Sequence, residues 1–149
     1  MELIKFVALD QEDLEVVSAH LQDAVVKAGE ILWRSAEHRL VIGLARFDWE
    51  AAQKSTPEFQ RRRAALRFER VRSCQQRNID GGSPDAMLNL LAVEFKAGEA
   101  PSGVITLTFS GGAALRLEVE CLEAELADLG PVWKAARCPD HVSTPTETA

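Results

Sequence analysis

The run VITLTFSGGAALRLEV, Val104 to Val119, constrains this chain more than any other stretch. Ile105, Leu107 and Phe109 fall on one side of an extended segment, and Val104, Thr106 and Thr108 on the other, the two-residue period of a half-buried strand. Ser110-Gly111-Gly112 interrupts it, and Leu115, Leu117 and Val119 then alternate with Arg116 and Glu118. Two such runs joined by a glycine turn form a β-hairpin with one dry face, which must be buried against further structure. From Glu120 the spacing lengthens. Leu122, Leu126 and Leu129 recur at i, i+4 and i+7 opposite Glu123, Glu125 and Asp128, and Gly130-Pro131 closes the segment, a pattern that predicts a short C-terminal helix.

The rest of the chain supplies partners for that hairpin. Leu3 to Ala8 alternates as a short strand with Ile4 and Phe6 on one side. Asp10 is placed to cap a helix whose first turn carries acids, and Leu14, Val17, Leu21 and Ala24 mark its apolar stripe as far as Lys27-Ala28-Gly29. Ile31 to Trp33 and Arg39 to Asp48 read as paired strands around the turn Ser35 to His38. Gly43 within the second marks a bulge or a close neighbour, and Trp49 a cap on one end of the core. Glu50 to Arg63 reads as a polar connection. Strand character returns from Ala64 to Arg77, with Leu66 and Phe68 together, Val71 on the other parity and a bulge near Glu69 or Arg70 to reconcile them. Asn78 to Asp85 is a loop, Met87 to Phe95 a central strand, and Ala97 to Gly103 a turn. Beyond Trp133, a last anchor, the residues 135–149 read as a disordered polar tail.

The expected fold is therefore α+β: a mostly antiparallel meander or partly open barrel of about seven strands, with one helix near each end. The final helix would plug it, and a pleckstrin-homology-like barrel is one version. At 149 residues one domain, 1–134, suffices and can bury roughly 70% of its unfolded surface. A 46% hydrophobic content excludes a disordered chain.

No apolar run nears the roughly 18 residues of a membrane span, and MELIKFVALD lacks the layout of a secretory signal. Cys74, Cys121 and Cys138 are odd in number, without a CxxC pair, as expected of free thiols in a reducing compartment. The reading is cytoplasmic.

Five stretches, in this order, also resemble those of a known family: SAHLQDA (Ser18 to Ala24), RFDWE (Arg46 to Glu50), ITLTFSGG (Ile105 to Gly112), LRLEVECLEA (Leu115 to Ala124) and LADLGP (Leu126 to Pro131). The chain is similar from about Leu3 to Trp133 to a mainly alphaproteobacterial family known only as a domain of unknown function. The resemblance implies a cytosolic, single-domain bacterial protein. It implies no reaction and no site residues.

The strongest functional signal is charge. Gln60 to Arg77 holds seven arginines, Arg61, Arg62, Arg63, Arg67, Arg70, Arg72 and Arg77, against the single acid Glu69. That segment carries +6 within a chain of net charge −6, so the remainder carries −12. Guanidinium groups gathered on one surface suit carboxylates and phosphates, which they grip with two parallel hydrogen bonds. The competing reading pairs them with Glu118, Glu120, Glu123 and Glu125, within one molecule or between copies. Nucleic acid is disfavoured, because the chain is acidic, lacks tyrosine and shows no interleaved aromatics.

Weaker constellations favour structural roles. Asp48 and Glu50 in RFDWE suggest an acid and base only by spacing. His20 borders the apolar stripe of the first helix, His38 lies in a turn and His141 in the tail, with no metal-binding spacing. Cys121 would open the final helix among glutamates that oppose a thiolate. Gly111-Gly112 lacks a following Gly-Lys-Ser/Thr, and Asp80-Gly81-Gly82 is an ordinary loop. The expectation is a non-enzymatic domain without cofactor or metal. It would bind a protein partner or a second copy through arginine-bearing strand and acidic helix. The alternative is a small-ligand-binding or enzymatic domain in which the arginine cluster holds an anionic small molecule.

Overall fold

The computed structural model describes residues 3–48, 60–79 and 82–134. Among them the chain forms one α-helix, α1 (Gln11–His20), and ten strands: β1 (Lys5–Ala8), β2 (Ala24–Lys27), β3 (Ile31–Arg34), β4 (Arg39–Phe47), β5 (Gln60–Phe68), β6 (Val71–Arg77), β7 (Met87–Ala97), β8 (Gly103–Phe109), β9 (Ala114–Val119) and β10 (Ala124–Lys134). All pair antiparallel in one sheet, ordered β1-β10-β5-β4-β2-β7-β8-β9-β6, with β3 beside β2 on the same edge of β4. The path ends at β1 and at β6 without joining, so the sheet is open.

The hairpin is as its alternation requires. Ile105, Leu107, Phe109, Leu115, Leu117 and Val119 are all buried, and Ile105 faces Leu117 while Leu107 faces Leu115. Gly111 and Gly112, at φ 72 and 73, take the left-handed conformations of the turn. The meander continues back to β7, whose pairing with β8 shifts between Leu90 and Ala92. That bulge buries Leu90 and Val93 despite their opposite parity and leaves Leu91 exposed.

Residues 120–129 are not a helix. Leu122, Ala124, Leu126 and Asp128 point inward with Glu123, Glu125 and Ala127 between them, and β10 runs between β1 and β5. The helical spacing of the leucines is a coincidence: Leu126 is buried and Leu129 is 56% exposed. The inward position that breaks the apolar alternation is Asp128, which disguises the strand. Gly130-Pro131, expected to stop a helix, lies in a bulge of β10 between Asp128 and Val132, with Gly130 at φ 137. No terminal helix plugs the sheet among the described residues.

The first helix starts as predicted, with the Asp10 carboxylate accepting from the Asp13 amide at 2.8 Å. It ends earlier. Leu14, Val17 and Leu21 are buried, but the backbone turns at Asp23, φ 62, and Ala24 belongs to β2, a strand too short to show its own period. The strand count rises from about seven to ten because β2 is added, because β10 takes the place of the expected terminal helix, and because the expected Ala64–Arg77 strand is two. Phe68 ends β5 beside β10 and β4, while Val71 starts β6 at the far edge of the sheet. A corner at Glu69-Arg70, with Arg70 at φ 59, replaces the expected bulge. Arg61 to Arg63, assigned to a polar connection, form the start of β5. Trp49, most of the Glu50 to Arg63 connection, and the tail 135–149 lie outside the described residues.

Candidate functional site

The fold divides the seven arginines among three environments, and strand parity decides which. On β5, Arg62, Ala64, Leu66 and Phe68 point into the core. Arg62 therefore enters it as a cation, and its Nε donates to Asp48 Oδ2 at 2.7 Å with both side chains 6% exposed. Directly across the ladder stands Arg46 of β4, which the sequence reading did not single out. Its Nε and Nη2 donate to the two carboxylate oxygens of Asp128 at 2.8 and 2.9 Å. Asp128 Oδ2 also accepts from the Ile4 amide at 2.9 Å, which ties β1 to the pair. Two cations and two anions thus cancel inside the core, where an unpaired charge would cost several kcal/mol, on the order of 3–5. Arg61, on the opposite parity, is covered as well. Its guanidinium lies over the Phe47 ring at 5.8 Å and its Nη1 donates to the Asp23 carbonyl at 3.4 Å.

The second environment is a surface network. Arg63 donates through Nη1 and Nη2 to the Glu30 carboxylate. A hydrogen bond from Arg63 holds the Glu30 carboxyl below the usual carboxylate range, and the same bond raises Arg63. Gly43 is the close neighbour its sequence position suggested. A Cβ there would lie 2.9 Å from Arg63 Nη2 and 3.0 Å from Glu30 Oε1. Arg67 reaches Glu69 at 3.1 Å and Glu125 at 3.4 Å, and Arg70 reaches Glu123 at 3.7 Å. Arg67, Glu69, Arg70 and Glu123 line a shallow cleft of about 530 Å³ in which four glutamates, Glu37, Glu69, Glu120 and Glu123, face Arg39, Arg67, Arg70 and His38. With acids in that proportion the cleft offers no excess of positive charge to a free anion.

The third environment holds Arg72 and Arg77, both exposed on β6. Among the described residues no acid pairs with either one. They share the terminal strand of the sheet, and Arg70 stands at its entry with its side chain 61% exposed.

The expected complementary surfaces are thus largely each other's partners within one molecule: Glu123 and Glu125 sit on β10 or at its entry and meet Arg70 and Arg67. Glu118 pairs with Arg116 instead, at 3.4 Å. Asp48 is bound to Arg62, and Glu50, the carboxylate expected to accompany it, lies outside the described residues. His20 meets the Phe6 ring at 5.6 Å and lines a hollow with Glu12, Glu15, Val16 and Ala19 of α1, whereas Arg67 and Arg70 line the separate glutamate-bearing cleft. His38 closes a turn at φ 53, its Nδ1 3.3 Å from the Val71 carbonyl oxygen. Cys121 sits in the link between β9 and β10, not at a helix start, and burial pushes the Cys74 thiol pKa up. Among the described residues no three His, Cys, Asp or Glu side chains converge on a metal position. No helix there is long and apolar enough to cross a membrane.

Arg46 and Asp128 carried a usable signal. Each occupies an inward parity position on its strand, after Leu40, Ile42 and Leu44 on β4 and after Leu122, Ala124 and Leu126 before and within β10. Opposite charges at inward positions of two strands call for a buried pair.

Fold and charge together define an open, antiparallel-sheet domain with an internally neutralised arginine–aspartate core and an arginine-bearing edge. The chain belongs to the family described as protein of unknown function, DUF2948, whose model matches residues 4–141. No curated protein and no solved structure matches it.

Proposed function

We propose that this is a non-catalytic, cytosolic protein-binding domain whose partner surface is the β6 edge, with Arg70, Arg72 and Arg77 as its cationic groups and an acidic protein segment as its partner. One observation carries the reading: of seven clustered arginines, the two that are exposed and have no acidic partner among the described residues, Arg72 and Arg77, fall together on a strand that ends the sheet. An exposed guanidinium spaced along an edge attracts carboxylates and steers their approach. The free thiols Cys74 and Cys121 suit a reducing compartment. A free small anion finds less support, since Arg67 and Arg70 share their cleft with four glutamates.

The reading is tested with a fluorescently labelled peptide of alternating glutamate and valine, as long as β6, titrated against the full chain and followed by anisotropy. Binding should weaken as salt rises, and Arg72→Ser/Arg77→Ser should weaken it roughly tenfold, two exposed ion pairs at up to ~1 kcal/mol each. Binding that ignores both salt and the double substitution, or no binding, refutes it.

A further inference from the structure

We infer that the acidic partner binds as an eleventh strand, its backbone laddered onto the outer edge of β6; this rests on the reading above. Val71 is already engaged on that side, its amide donating to the His38 carbonyl at 2.9 Å. From Ser73 to Arg77, β6 pairs only with β9, so about half of its backbone N–H and C=O groups point away from the sheet without a ladder partner among the described residues. Extended peptides recognise such edges through main-chain hydrogen bonds, and alternate side chains then supply specificity.

The two sides of β6 state what those side chains are. Cys74 pairs with Leu117 and packs, half buried, against the core, so the added strand meets the open margin of the core on that side. Gln75 pairs with Arg116 on the other side, and Arg72 and Arg77 stand exposed at the two ends of the strand. The fitting ligand therefore alternates apolar residues, toward the Cys74 side, with carboxylates toward the arginines.

A second copy of β6 fits less well than an acidic strand. Antiparallel pairing about the Cys74-Gln75 bond would set Arg72 of each copy opposite Arg77 of the other, and like charges directly opposed destabilise a ladder. The arginines, with the bulge between Val71 and Ser73, thus disfavour self-pairing in that register. Because electrostatic exclusion depends on sign, the same residues favour an acidic strand.

The experiment compares three peptides of identical length and charge on the full chain: the alternating glutamate–valine peptide, the same peptide N-methylated at every residue so that neither edge can donate, and one with its glutamates and valines in separate blocks. Amide hydrogen exchange is recorded alongside anisotropy. Strand addition predicts binding of the first alone, with exchange at Ser73 to Arg77 slowed roughly tenfold or more. Equal binding of all three, lost in Arg72→Ser/Arg77→Ser, overturns strand addition while the acidic-partner reading stands. Failure of all three to bind overturns both and leaves the arginines as guards of the edge. A concentration-dependent dimer that protects the same amides without peptide also overturns the inference.

Discussion

Arg46 and Asp128 meet in the core through two parallel hydrogen bonds of 2.8 and 2.9 Å, and neither side chain is more than 1% exposed. They lie on β4 and β10, which are not ladder neighbours but flank β5, so the pair spans the strand that carries Arg62. Asp128→Ala leaves a buried guanidinium without its anion and should cost about 3–5 kcal/mol by urea denaturation. Arg46→Met combined with Asp128→Leu removes both charges and should recover most of that loss. Equal destabilisation by the single and double variants would show that shape, not charge balance, governs the site.

Glu30 offers a pH test. Its folded pKa lies below the ordinary value because Arg63 donates to it, so its contribution is complete above the unfolded glutamate range, near pH ~4.3, and is lost as pH falls through the lower folded value. Glu30→Gln should therefore flatten the acid limb of stability against pH. Its difference from wild type should shrink toward low pH, where Glu30 itself is protonated. A difference that grows on acidification contradicts the assignment.

Leu126 and Leu129 separate strand from helix. A helix would place both on one stripe, whereas in β10 Leu126 is fully buried and Leu129 is 56% exposed. Leu126→Ala should cost about 2–5 kcal/mol and Leu129→Ala no more than ~0.5. Comparable losses at both positions would restore the helical reading.

A smaller effect is expected at Ser18. Its hydroxyl accepts from the Val93 amide at 3.0 Å, joining α1 to the bulged strand β7. Ser18→Ala strands a part-buried donor and should cost about 1–3 kcal/mol in thermal or chemical denaturation. No measurable change would mean that another acceptor takes over.

The legible parts of the fold were those in which local sequence and burial agree. The β8–β9 hairpin shows its alternation and its glycines, and Asp10 shows its cap. The illegible parts involve a buried group whose compensation comes from elsewhere in the chain. Asp128 reads as solvent-facing until Arg46 is placed beside it, and Arg61 to Arg63 read as a polar link until Asp48, Phe47 and Glu30 are brought to them by β4 and its neighbours. Charge density marks the arginine segment, but strand parity and the corner at Arg70 determine which guanidinium groups remain exposed.

That division is tested most directly by replacing each of the seven arginines singly with serine and measuring the urea midpoint. Arg61→Ser and Arg62→Ser should lower stability by about 3–5 kcal/mol, because each empties a buried position and Arg62→Ser also abandons Asp48. Substitution of Arg63, Arg67 or Arg70 should cost ~1 kcal/mol or less, and substitution of Arg72 or Arg77 should leave the midpoint unchanged. A uniform loss across all seven, or a large loss at Arg72 and Arg77, would contradict an exposed binding edge set apart from a neutralised core.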